Sequence, residues 1–90
     1  MNTTDAIRKR LTALNPLSCE VVDESSAHAG HAGAKERGGG HFQLNIVSDA
    51  FQGKSLLVRH RMIYDVLSDL MSKDIHALHI NATAPNVLVK

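Results

Sequence analysis

Six histidines and one cysteine hold most of the chemistry open to this 90-residue chain. His28 and His31 stand three residues apart in the tandem repeat His28-Ala29-Gly30-His31-Ala32-Gly33. Between small, conformationally free neighbours, both imidazoles could turn toward one metal ion. His76 and His79 share that spacing, but Ile75-His76-Ala77-Leu78-His79-Ile80 alternates like a strand. Residues three apart on a strand point to opposite faces, so this pair is expected not to chelate locally. His76 is expected on the side of Leu78 and Ile80, at the edge of the packed face. His60 lies between Arg59 and Arg61, while His41 and His79 read as strand surface. Cys19 falls on the apolar side of an alternating run, where a thiol serves as inert core. One cysteine excludes an internal disulfide and an all-cysteine metal site. No Ser-His-Asp order, no carboxylate pair in an apolar setting and no phosphate loop occurs, so no catalytic residue is nominated.

The elements that must position these groups follow from periodicity. Residues 3–14 predict a helix, with Thr3 or Thr4 as its cap, Asp5 in the first turn and Ile7, Leu11 and Leu14 on one stripe. Pro16 ends it, because the residue before proline is pushed out of the right-handed helical region. Residues 17–24 alternate as a first strand and 41–48 as a second, paired antiparallel. Between them, 25–40 carries five of the six glycines and no apolar residue larger than alanine, which predicts a long mobile loop. A turn at 49–54 precedes helical periodicity over 55–73, in whose apolar stripe Arg59 would fall. A charge there is costly unless paired, so Leu56-Leu57-Val58 is expected to form a separate turn and the long helix to begin near His60. Arg61 with Asp65, and Asp69 with Lys73, form potential i, i+4 pairs on the outer face. Residues 75–83 make a third strand. The order α-β-β-α-β predicts an α+β domain with helices on one face of a three-stranded sheet.

Composition narrows the function. Ten Lys+Arg against nine Asp+Glu leave a net charge of +1, without the global basic field that advertises nucleic acid. An apolar content of 43% suits a folded chain, and residues 1–90 are expected to form a single domain. No apolar run approaches the roughly 18–20 residues of a membrane span, and the first residues lack a signal-peptide pattern. A cytoplasmic protein without a membrane role is therefore expected. Gly30-His31-Ala32-Gly33 fits the G-x-x-G of KH nucleic-acid modules, yet it lies between strands instead of between helices.

Several motifs run in an order that resembles the BolA family. They are Asp23-Glu24-Ser25, a glycine-rich stretch with an early histidine, His41-Phe42, Ile46-Val47-Ser48-Asp49, Phe51-Gln52-Gly53, Arg59-His60-Arg61-Met62-Ile63-Tyr64 and Ile75-His76-Ala77-Leu78. The resemblance spans about Ile7 to Pro85. It implies a fold related to class II KH domains, with a mixed three-stranded sheet and no working G-x-x-G loop. It also implies a monothiol glutaredoxin of the CGFS type as partner and a [2Fe-2S] cluster shared with it and with glutathione. This chain would supply His76 and a histidine of the first interstrand loop, at His28, with His31 as the alternative; alone it would be apo, monomeric or weakly dimeric. Family members are also described as DNA-binding regulators of cell shape and stress responses, which would point here to Arg59, His60, Arg61 and Lys54.

Overall fold

The first helix begins on a different cap from the one its threonines suggest. In the computed structural model, which describes residues 2–24 and 40–85, α1 spans Thr3–Leu11, and the Asn2 side-chain oxygen accepts the Asp5 backbone N–H at 2.9 Å. Asparagine one residue earlier satisfies the same orphan donor that a threonine would have served. Ile7 and Leu11 are fully buried. The chain then tightens into a 3-10 turn at Thr12–Leu14 and leaves it at Asn15, whose φ of 48° is left-handed. Asparagine tolerates that conformation better than most residues, and Pro16 behind it disfavours the right-handed one.

Strand β1 (Ser18–Asp23) pairs antiparallel with β2 (Gly40–Val47), Ser18 opposite Val47 and Asp23 opposite Phe42. Strand β3 (Ile75–Thr83) runs parallel to β2, which makes β2 the centre of a mixed sheet ordered β1-β2-β3. Parallel pairing needs a long crossover, and the helical region between β2 and β3 supplies it. Phe42, Leu44 and Ile46 alternate into the core, where they meet Ile7 and Leu11 of α1 and Ile63, Leu67 and Leu70 of the crossover. The expected α+β architecture, with helices on one face of a mixed three-stranded sheet, is the architecture observed.

The crossover departs from its expected division. Helix α2 runs unbroken over Leu56–Val66, with the Ser55 hydroxyl accepting the Val58 N–H at 3.2 Å, so Leu56-Leu57-Val58 is its first turn and not a separate one. Arg59 stays inside this helix because it is paired. Its Nε donates to the Lys54 carbonyl and its Nη1 to the Ala82 carbonyl, each at 3.0 Å. The helix expected to continue from near His60 to residue 73 instead breaks at Leu67, and α3 occupies Ser68–Met71. Neither expected i, i+4 ion pair forms among the described residues. Asp69 reaches across to Arg10 of α1 at 2.6 Å, and that guanidinium holds its carboxyl below the usual range. No helix among the described residues is long and apolar enough to cross a membrane. The expected mobile loop lies outside the described residues apart from Gly40, which opens β2.

Candidate functional site

The site is built by an irregularity in the β2–β3 ladder. Gly40 stands opposite Ile75 and His41 opposite Ala77, so His76 is the extra residue of a bulge. The bulge resets the alternation of β3. Ile75 turns into the core at 4% exposure, and His76 is exposed. This corrects the expected placement of His76 on the side of Leu78 and Ile80, because strict alternation was assumed through a residue that the ladder skips.

The His76 ring instead meets the ring of His41, with centroids 5.2 Å apart and planes tilted by 51°. His41 alternates with buried Phe42 on β2, so its half-buried ring belongs to the sheet face that the helices leave open. His79 is exposed opposite Gln43, two residues further along that face. His76 and His79 are therefore not turned to opposite faces, as an unbulged strand would have required. His41, read as strand surface, is the functional candidate that sequence reasoning missed. Its alternation with Phe42 gave its face, but only the parallel register brings it beside His76.

The pair also marks where the chain leaves and rejoins the sheet. The Glu24 N–H donates to the His41 carbonyl at 2.7 Å, and the Gly40 N–H donates to the Asp74 carbonyl at 3.1 Å. Both ends of the segment that carries His28 and His31 are thus anchored next to His41 and His76. His28 and His31 themselves lie outside the described residues. Among the described residues, no group of three or more His, Cys, Asp or Glu side chains converges as a metal site. Two imidazoles are half of a tetrahedral ligand set, so a metal held here needs donors from elsewhere.

Cys19 is half-buried on the core side of β1 and stands apart from this pair. Burial pushes its thiol pKa up, and the nearby Arg8 charge only partly opposes that. A raised folded-state pKa favours the thiol; its stabilising contribution is complete below the unfolded thiol value and is lost as pH rises through the raised one. We expect iodoacetamide at mildly alkaline pH to alkylate native Cys19 more slowly than the urea-unfolded chain. Equal rates would show a reactive thiol and contradict the buried assignment.

The four residues nominated for nucleic acid divide by role. Arg59 is committed to two backbone carbonyls, His60 is half-buried, and Lys54 and Arg61 are exposed.

Fold, bulge and histidine pair together define an α-β-β-α-β domain with an imidazole-bearing open sheet face. Residues 11–86 match the family described as BolA-like protein, and the chain belongs to that family. It is 51% identical over 84 residues to SufE-like protein 1, chloroplastic/mitochondrial, of Arabidopsis thaliana, covering 88% of this chain and 23% of that protein. The chain thus spans less than a quarter of that relative. It is 40% identical over 82 residues to the DNA-binding transcriptional regulator BolA of Escherichia coli (strain K12), covering 90% of this chain and 74% of the relative. The solved BolA domain of SufE1 from Arabidopsis thaliana superposes with a TM-score of 0.80 at 47% identity, covering 98% of this chain and 99% of that domain.

Proposed function

We propose that this chain is a non-enzymatic adaptor that docks on a monothiol glutaredoxin of the CGFS type and co-ligates a [2Fe-2S] cluster in iron-sulfur trafficking or iron and redox sensing. His76 is the fixed ligand of this reading. The second comes from the 25–40 segment, as His28 or alternatively His31. Thiolates of the partner and of glutathione complete the set. The observation that carries the reading is the exposed His76 ring on a bulge, beside both anchored ends of the histidine-bearing segment. An exposed imidazole can reach a cluster held by another molecule. The donor chemistry fits a shared group: the described residues offer imidazoles and no converged thiolate site of their own. Replacing thiolates by neutral imidazoles on one iron lowers the cluster's negative charge and raises its potential. His41 packs its ring against that of His76 and so limits the orientations open to the ligand.

The test mixes the chain anaerobically with cluster-loaded glutaredoxin and glutathione and records visible absorption and circular dichroism. The wild type is expected to change the glutaredoxin spectrum, and His76→Ala to abolish that change. An identical heterodimer spectrum with His76→Ala would remove His76 as a ligand. Calorimetric titration with cluster-free glutaredoxin separates docking from ligation. A second reading, DNA binding in transcriptional regulation, rests on the similarity to the DNA-binding transcriptional regulator BolA of Escherichia coli. Electrophoretic titration with promoter DNA at varied salt tests it; no shift at low salt eliminates it.

A further inference from the structure

The outer face of α2 does not look like a phosphate-binding surface. Leu57, Arg61 and Tyr64 follow one another at i, i+4 and i+7, which aligns them along one side of the helix. Leu57 is 62% exposed and Tyr64 40%; Leu56, on the adjoining flank nearer the buried Ile63 seven residues on, is 65% exposed. Lys54 precedes the helix and is also exposed. Two aliphatic side chains and one aromatic thus face water around the cations Lys54 and Arg61. Neither cation forms an ion pair among the described residues, and the first helical turn holds no acid. Arg59, the third cation of this stretch, is turned inward to the carbonyls of Lys54 and Ala82.

Two cations are few for duplex binding, whose affinity comes from neutralising many phosphates. The leucines would be desolvated against phosphate without any gain. Contiguous exposed apolar side chains with tyrosine and arginine are instead the composition of a protein-docking core. The positive helix N-terminus adds to the charge of Lys54 and Arg61, whereas Asp65 stands further along the helix. The field along the face therefore runs from positive to negative and sets an orientation for its ligand.

We infer that this face of α2 is a docking surface for an acidic amphipathic helix of a partner protein, with leucine-type anchors against Leu56, Leu57 and Tyr64 and carboxylates against Lys54 and Arg61. It goes beyond the cluster-ligating reading and does not depend on it. The Ala82 carbonyl that Arg59 holds is six residues along β3 from His76, about 20 Å at the rise of a strand. A partner on α2 and a cluster at His76 thus occupy different ends of the sheet.

The test uses the full chain, labelled with nitrogen-15, and a fluorescein-tagged synthetic helix of about 18 residues with leucines at i, i+4 and i+7 flanked by glutamates. Anisotropy is expected to report saturable, salt-weakened binding, with amide shifts centred on 54–64. Leu56→Ser with Leu57→Ser is expected to weaken binding about tenfold or more, from the loss of two apolar contacts. Because both leucines are exposed, this variant should keep its thermal midpoint. His76→Ala should leave binding unchanged, so failure of the cluster reading and failure of this one are distinguishable. Several results would overturn the proposal. A lysine-for-glutamate peptide could bind equally well, or the double serine variant could bind as the wild type does. Duplex DNA could shift the same amides more tightly than the peptide. Sedimentation could reveal a dimer that the serine variant dissolves, or deleting residues 86–90 could shift the 54–64 amides as the peptide does, assigning the face to a second copy or to the chain's own end.

Discussion

Phe51→Ala is expected to cost about 3–5 kcal/mol, the range for removing a buried phenylalanine from a well-packed core. Phe51 is fully buried, although it belongs to the 3-10 turn Asp49–Phe51 and not to a strand or a long helix. Its backbone is held on both sides. The Phe51 N–H donates to the Ser48 carbonyl and the Lys54 N–H donates to the Phe51 carbonyl, each at 3.1 Å. Ser48 is itself fully buried, donates its hydroxyl to the Leu14 carbonyl and accepts the Ala50 N–H at 3.1 Å. A turn pinned in this way cannot collapse into the space that the ring vacates, which puts the loss toward the upper part of the range. Small domains have roughly 5–15 kcal/mol in total, so the loss takes from about a fifth to all of it. At about 4–8 °C per kcal/mol for a chain of this size, its thermal midpoint should fall by on the order of 15–30 °C. Urea and thermal unfolding followed by circular dichroism measure this. A loss below about 1 kcal/mol would mean that the ring is not part of the core.

Arg59→Met should destabilise the fold by about 2–3 kcal/mol while retaining most of the aliphatic stem. Bonds from a charged donor contribute roughly 1.5–3 kcal/mol each when buried, and partial exposure discounts the pair here. The guanidinium ties the segment before α2 to the far end of β3 through the Lys54 and Ala82 carbonyls. Methionine would leave both acceptors without that donor. Arg59→Lys should recover only part of the loss, because one ammonium on a flexible stem does not reproduce the rigid fork that reaches two carbonyls. Urea denaturation of the two variants decides the point; equal stability of Arg59→Met and wild type would show that the tie carries no energy. The consequence for function is direct. Reduced DNA binding by an Arg59 variant would report a loosened α2 unless the variant were first shown to be folded, whereas Arg61 and Lys54 can be changed without that confusion.

The order of elements was legible because each strand alternates and each helix repeats its apolar residues locally. Phe42, Leu44 and Ile46 announce a strand by themselves, and Ile7 and Leu11 announce a helix face. The motifs from Asp23-Glu24-Ser25 to Ile75-His76-Ala77-Leu78 likewise sufficed for the family. Long-range contacts were not legible. Arg59 in an apolar stripe argued for a helix start near His60; the helix begins at Leu56 because two carbonyls, one of them 23 residues away, accept its protons. Asp69 suggested a local pair with Lys73 but is held by Arg10, 59 residues distant.

The candidate site divides in the same way. Residue type and local pattern drew attention to the histidines and to the His28–His31 repeat, whereas the choice of His76 rested on the resemblance carried by Ile75-His76-Ala77-Leu78. Which face His76 occupies, and that His41 is its neighbour, only the tertiary structure decided. Alternation is a property of one strand, whereas a bulge is a mismatch between two. The shift that frees His76 from the packed side exists only once β3 is laid parallel against β2, with Ile75 drawn into the core behind it.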